Sequence, residues 1–468
     1  MSDAQVSRWK IAAFSLPSIP ISALGLPIVV YLPPFYAQDM GLSLSVVGTV
    51  FMLARFWDVF TDPVLGVLSD RWPSRWGRRR HWIVISTPFL LIPAYMLFMP
   101  EAPVTWAYLA WWMFVLYIGW TLITICHMSW GAELSPDYDT RSTIQGAREF
   151  ALIFGMFTVL ALPAVIEAAA EGAGGAEKVA AMGWFIIILL PITVGIAVTQ
   201  VGERTDVKPV AIDWRKAITV LRGNRWVQRL LIADLLVGVA PGITGALYLF
   251  FASYVFELPQ YASLLLLIYF VAGFIGIPLW VRLSHWTGKH RALSIAMFYG
   301  ALTLPLVIFF PRGEFWWLFA GNTAYGVAYG AGSFLLRSVM ADVTDYDNLV
   351  TGEQRTGLYY SLLTMTAKVG AALAVGITYP LLDWIGFVAE PGVNSPETLN
   401  HLLIIYVSLP ALFMAAAGLV MWGFPLDREK QREIRDKLKE RDHMLADAAG
   451  AIAEVGAAGT IADEPARR

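Results

Sequence analysis

The sequence reads as an all-α polytopic membrane protein of twelve transmembrane helices, arranged as two pseudo-symmetric six-helix halves. Three observations lead to that fold class. Of the 468 residues, 57% are hydrophobic and only 15% charged, against about 25% charged in ordinary soluble domains. With a mean hydropathy of +0.58, such a chain cannot cover its apolar surface in water. Second, a membrane helix needs roughly 20 mostly apolar residues. Twelve such stretches lie near 11–36, 43–69, 82–100, 105–134, 143–168, 180–201, 227–255, 260–284, 291–311, 315–342, 356–387 and 400–424. Third, two motifs recur at nearly one spacing. Asp137-Tyr138-Asp139 after span four returns as Asp345-Tyr346-Asp347 after span ten, 208 residues on, and Gly77-Arg78-Arg79-Arg80 after span two returns as Gly288-Lys289-His290-Arg291 after span eight, 211 residues on. Repeats at matching ordinal positions mark two parallel six-span halves, the major facilitator architecture.

The first span follows Arg8 and Lys10. Its apolar run is too long for a signal peptide and lacks a small-residue cleavage site, so it reads as a retained helix. Orientation follows from the distribution of Lys and Arg. Basic residues crowd the connection after span two (Arg71 to Arg80), the central loop (Arg204 to Arg225), the turn after span eight (Lys289, Arg291) and the tail from Asp427 to Arg441, whereas the opposite connections carry only Lys178 and Arg312. Both termini are therefore expected in the cytoplasm. The divisions are 1–201 for the first half, 202–226 for the central loop, 227–426 for the second half and 427–468 for the tail. The tail helix near 427–445, with seven basic residues against six acidic ones, reads as solvated. Gly326 and Gly330 sit at helix-packing spacing in span ten.

Composition also excludes functions. A net charge of −2 argues against nucleic acid as a partner. One cysteine, Cys126, and six scattered histidines offer neither a disulfide framework nor metal-ligand spacing. No nucleophile–base set or phosphate loop suggests an enzyme.

Ionisable groups inside a bilayer are costly and are read as functional. Span two carries Arg55, Asp58 and Asp62. The aspartates, four apart, share a helix face with Arg55, and their like charges repel unless a cation or proton sits between them. Pro63 frees the carbonyl of Val59 in the same turn. The set is an oxygen-rich cage suited to a hard monovalent cation such as Na⁺. Span four adds Thr121 and Thr124, three apart, as possible ligands, with Tyr117, Trp120 and Trp130 able to stack on a ring and His127 read as a satisfied polar residue. Span five holds Arg148 beside Glu149; its planar fork suits hydroxyl, carboxylate or phosphate groups. Span eleven holds Lys368, the only charge between Leu362 and Val375. A lone buried lysine needs a carboxylate, and Asp58 or Asp62, from the other half, is the natural one. Asp70 is expected to pair with the basic loop and latch the halves.

The run Ala54-Arg55-Phe56-Trp57-Asp58-Val59-Phe60-Thr61-Asp62-Pro63, with Ser74-Arg75-Trp76-Gly77-Arg78-Arg79-Arg80, resembles the signature of the glycoside–pentoside–hexuronide:cation symporters, the melibiose-permease-like family of major facilitators. Gly131 to Arg141 resembles that family's loop after span four, and Ala341 to Asp347 with Thr351-Gly352 and Lys368 its second-half signature. The resemblance implies a rocker-switch symporter of the inner (plasma) membrane, coupled to Na⁺ or H⁺ with no other cofactor, that carries a sugar or glycoside and acts as a monomer among membrane lipids. It implies a cation site of Asp58 and Asp62 assisted by Thr121 and Thr124. The substrate site implied is Ser22, Thr124, Met128, Arg148, Ser333 and Lys368. Ser22 and Thr124 stand where melibiose-type members carry carboxylates; Met128 and Ser333 stand where they carry aromatics. A cytoplasmic gate of Asp70, Arg78, Arg141, Asp342 and Asp345 is expected. Animal relatives that move lysolipids set the alternative, a less polar cargo on the same scaffold.

Overall fold

The computed structural model describes residues 7–72, 74–135, 138–169, 174–203, 223–352, 355–441 and 444. The central loop from 204 to 222 and the tail beyond 444, which the domain divisions name, lie outside them. Among the described residues the first half comprises α1 (Arg8–Gln38), α2 (Leu44–Arg71), α3 (Arg80–Phe98), α4 (Trp106–Glu133), α5 (Tyr138–Ala169) and α6 (Gly175–Gln200). The second comprises α7 (Arg225–Val255), α8 (Ala262–Thr287), α9 (Lys289–Phe309), α10 (Phe315–Thr351), α11 (Thr356–Trp384) and α12 (Pro396–Trp422). Eleven of these segments are long and apolar enough to cross a membrane. The twelfth, α10, is 37 residues long; its stretch from Phe315 to Leu336 is uncharged but holds four Gly, two Tyr and two Trp, which are weakly apolar.

The halves repeat one another in local detail. Prolines at 17, 20 and 27 break α1 into short pieces, with a π-turn at Pro27–Tyr31. Its counterpart α7 carries a π-turn at Phe251–Val255. Gly77 and Gly288, the leading residues of the recurring motif, both adopt positive φ, 114° and 89°, a region that favours glycine. At Gly77 a side chain would also strike the carboxylate of Glu203. Gly326 and Gly330 let α10 lie against the backbone of α8, where a Cβ would meet the carbonyls of Tyr269 and Gly273. Trp280 Nε1 adds a 2.7 Å bond from α8 to the Val327 carbonyl.

Two sequence expectations change. The aspartates of the second-half signature do not lie in a loop: α10 runs through Asp345-Tyr346-Asp347 to Thr351 and stops at Gly352, whose φ of 73° caps it. In the first half the matching triplet meets the start of α5 at Tyr138. The tail helix, residues 428–441, is not free in solvent. It buries Ile434, packs Leu438 on the core, and bonds α10 through Gln431 to Asp342, Arg435 to Asp345 at 3.9 Å and Arg441 to the Asn348 carbonyl at 2.9 Å.

The described bonds between halves lie from mid-molecule to one end. At that end, Ser45 on α2 donates to Asp383 on α11 and Gln38 Nε2 donates to the Tyr254 hydroxyl at 3.1 Å. Gly48 packs on Tyr379, and Gly376 on Met52. Glu167 at the end of α5 accepts from the Ser263 hydroxyl at 2.6 Å and from Lys178 at 2.7 Å. Midway, Phe157 meets Phe274 edge-on.

Toward the basic end the described ties stay within one half. Arg78 and Arg79 reach Glu133 at 2.6 and 3.3 Å. Glu203 accepts from the backbone N–H groups of Arg78, Arg79 and Arg80 at 2.7–3.2 Å. This places a carboxylate at the positive end of the α3 dipole. In the second half Lys289 pairs with Asp342 at 2.8 Å.

Candidate functional site

Halfway along α2, Asp58 is buried and Asp62 partly so. The four-residue spacing sets both carboxyls on one face, as helix geometry requires, and Pro63 sits inside the helix without ending it. Thr121 on α4 donates to both, at 2.7 Å to Asp58 Oδ1 and 3.0 Å to Asp62 Oδ1. Lys368 arrives from α11, with Nζ 2.8 Å from Asp58 Oδ2 and 2.6 Å from Asp62 Oδ2. Arg55 lies 3.8 Å from Asp58, its guanidinium over the rings of Tyr117 and Trp120 at 5.2 and 5.4 Å.

Two positive and two negative groups thus form one neutral cluster, bridged across the halves by a single ammonium. The cation that the paired carboxylates demand is supplied by the chain itself. The pair is thus already compensated by a tethered amine. Each carboxylate makes two or more polar contacts, which buried ions require.

Of the proposed cation ligands, Asp58, Asp62 and Thr121 come together. Thr124 does not join them: one turn along α4, its hydroxyl is buried without a hydrogen-bond partner. The expected substrate residues come from five helices, α1, α4, α5, α10 and α11. Arg148 is buried on α5, bonded to Glu149 at 2.7 Å and Gln145 at 3.5 Å, with its Nε unpartnered. Ser22 donates to the Ile19 carbonyl at 2.9 Å, and the surface of α1 there packs on Gly155 of α5. Met128 and Ser333 are exposed on α4 and α10. His127 Nε2 donates to the Phe14 carbonyl at 2.7 Å, and its ring stacks on Phe14. Trp130, offered above as a stacking ring, is instead buried against Phe14, bonded to the Gly202 carbonyl at 3.3 Å.

The described ties of three expected gate residues stay within one half or its tail. Arg78 pairs with Glu133, Asp342 with Lys289, and Asp345 with Arg435, because each acid finds a cation on a neighbouring helix of its own half or tail. The side chains of Asp70 and Arg141 lie outside the described residues.

Sequence reasoning missed four acids. Glu167 ties α5 to α8 at the far end. Asp383 bonds Ser45 across the halves. Glu203 caps α3. Asp234, buried on α7, accepts from the Thr366 hydroxyl at 2.6 Å. Asp234 carries a readable signal, a lone acid in an apolar run, as does Glu167 at the close of span five; the partners of Asp383 and Glu203 are set by tertiary packing alone.

Comparison with known proteins places this geometry. Residues 13–428 match the family described as MFS/sugar transport protein. The isoprimeverose transporter of Lactiplantibacillus pentosus is 25% identical over 450 residues, covering 89% of each chain. The glucuronide carrier protein homolog of Escherichia coli (strain K12) is 24% identical, covering 93% of this chain and 96% of that one. A sodium-dependent lysophosphatidylcholine symporter (1-A) of Danio rerio is 23% identical, covering 92% and 87%. Among solved structures, a point mutant of the nucleoside transporter NupG superposes with a TM-score of 0.70 at 14% identity, over 88% of this chain and all of that one, a likeness of fold.

Proposed function

This chain belongs to the MFS/sugar transport protein family, and we propose that it is a secondary active transporter that moves a sugar or glycoside together with Na⁺ or H⁺ by alternating access. The observation that carries the reading is Lys368 held by both Asp58 and Asp62 across the two halves. A transporter couples two cargoes when binding of one changes the contacts that the other depends on. Here a Na⁺ ion or a proton at the carboxylates releases the ammonium of Lys368, and with it the mid-molecule tie between the halves. Thr121, already bonded to both acids, supplies a further oxygen to Na⁺.

The substrate binds in the first half. Three buried polar atoms without hydrogen-bond partners support this: the Thr124 hydroxyl, the Tyr117 hydroxyl and Arg148 Nε. Such groups are costly when unmet, and sugar hydroxyls are suited to meet them. The basic end faces the cytoplasm, by the positive-inside rule, in the inner (plasma) membrane; the described contacts at the far end close the protein on the opposite side. One chain supplies both halves of the site, which supports action as a monomer. Sugar-like names among the relatives, an isoprimeverose transporter and a glucuronide carrier homolog, favour this over the lysolipid alternative.

The test is uptake of a glycoside panel by proteoliposomes under an imposed Na⁺ or pH gradient. The wild-type protein accumulates a sugar or glycoside under one gradient, and Asp62→Asn does not. Full accumulation by Asp62→Asn sinks the assignment of the coupling site.

A further inference from the structure

A cavity of about 190 Å³ lies between α1 and the helices of the second half, one turn along α11 from Lys368. Ala371, three residues along α11 from Lys368, lines it, as does Leu26, four residues along α1 from Ser22. Five tyrosines contribute to the remaining wall: Tyr248, Tyr269, Tyr325, Tyr329 and Tyr406. They are held by one another and by neighbours. Tyr269 meets Tyr325 at 5.5 Å and Tyr329 at 5.4 Å, and Tyr406 stacks on Phe251 at 3.9 Å.

Several polar atoms of this wall are already engaged. Asn322 donates to the Tyr248 hydroxyl at 2.9 Å and to the Leu265 carbonyl at 3.1 Å. The Thr244 hydroxyl bonds its own helix at Pro241, 3.1 Å away, and the Tyr325 hydroxyl reaches the sulfur of Met414 at 3.7 Å. An aromatic ring suits so phenol-rich a wall better than a second sugar ring, each of whose buried hydroxyls would need a partner. Size narrows the occupant further. An engineered cavity of about 150 Å³ in another protein takes benzene, so this one has room for a single six-membered ring.

We propose that the cavity is a subsite for the aromatic aglycone of an aryl glycoside, whose sugar ring lies beside Arg148 and Thr124. The proposal rests on the sugar reading above and narrows its substrate class. Aromatic rings prefer edge-to-face or offset contact with other rings, and five phenol rings around one ring-sized space provide it.

The experiment measures binding to the purified full-length protein of matched methyl and phenyl β-glycosides of glucose, galactose and xylose, with indole alone as a further probe. For whichever sugar binds, the phenyl glycoside binds at least about tenfold more tightly than the methyl one, the factor that corresponds to about 1.4 kcal/mol. Ala371→Phe, which fills the cavity, removes that preference and leaves methyl-glycoside affinity unchanged. Gly245→Leu does the same from α7, where a Cβ has ordinary contact with Val30 at 3.6 Å; two filling variants guard against one that fails to fold. Equal affinity for methyl and phenyl glycosides overturns the subsite while the sugar reading stands. Binding of indole that Ala371→Phe abolishes, with no glycoside bound, overturns the sugar reading and keeps an aromatic site. Binding of neither overturns both. A stronger gain from a disaccharide than from the phenyl glycoside, or a phenyl preference that survives both filling variants, also overturns the subsite.

Discussion

At the end that carries Ser45, Glu167 and Asp383, the halves bond to each other; at the end that carries Gly77 and Gly288, the described bonds run within each half. The first set consists of hydroxyl–carboxylate and close backbone contacts. The second consists of arginine and lysine pairs with acids on neighbouring helices, plus Glu203 capping α3 and the tail helix docking on α10. The two ends divide the labour. The described bonds between halves at the far end are made by hydroxyls and an amide, whereas those that tie each half together at the basic end are ionic. Lys368 stands at the boundary between the regimes, the last described tie before the halves part.

Substitutions put this division to the test. The largest effect is expected at the boundary. Lys368→Met leaves Asp58 and Asp62 facing each other with Arg55 as their remaining described cation. Removal of one partner from a buried ionic set costs about 3–5 kcal/mol, so the variant should lose gradient-driven uptake by at least about a hundredfold and bind protons at the aspartates instead. Uptake at the wild-type rate would show that the tie is not part of coupling.

Next comes the far end. Glu167→Gln removes the charge that holds Lys178 and weakens the acceptor for Ser263. Glu167 is nearly buried there, and the loss of a hydrogen bond to a charged group is worth about 1.5–3 kcal/mol. Amide exchange at Ser263 and Leu264 should accelerate by about tenfold or more; unchanged exchange would remove this contact from the closure.

A smaller effect is expected inside the first half. Glu203→Gln loses a charge at the α3 N-terminus, worth up to about 2 kcal/mol in partly buried settings. The melting temperature should fall by a few degrees with uptake per folded molecule retained. A loss of uptake without a loss of stability would erase the distinction between the two ends.

The smallest effect concerns Asp39, just past α1 at the rim of the far-end cavity. Burial raises its pKa above the usual carboxylate value, opposed by Lys178. A group whose folded pKa is raised contributes stability that is present below the unfolded pKa and is lost as pH rises through the folded one. Asp39→Asn should therefore stabilise the protein slightly at neutral pH, and the advantage over wild type should vanish below about pH 4. An advantage that persists in acid would assign the effect to something other than the carboxyl charge.

Much of this molecule was readable in its residues. The apolar runs set out the twelve helices because a bilayer demands length and low polarity of each segment independently. The repeated Gly-basic and Asp-Tyr-Asp motifs revealed two halves because each copy answers the same local need, as the paired positive φ at Gly77 and Gly288 shows. The four-residue spacing of Asp58 and Asp62 and the isolation of Lys368 pointed to one charged site, since an unmatched ion in the membrane forces a partner to exist. Which atoms meet was left to the packed fold: that Lys368 bridges both aspartates while Thr124 stays apart, that Arg78 and Asp342 tie their own halves, that α10 continues through its aspartates, and that five tyrosines enclose one space. Helix rotation and tilt settle those matters, and they arise from side-chain packing summed over many neighbours, which no local spacing encodes.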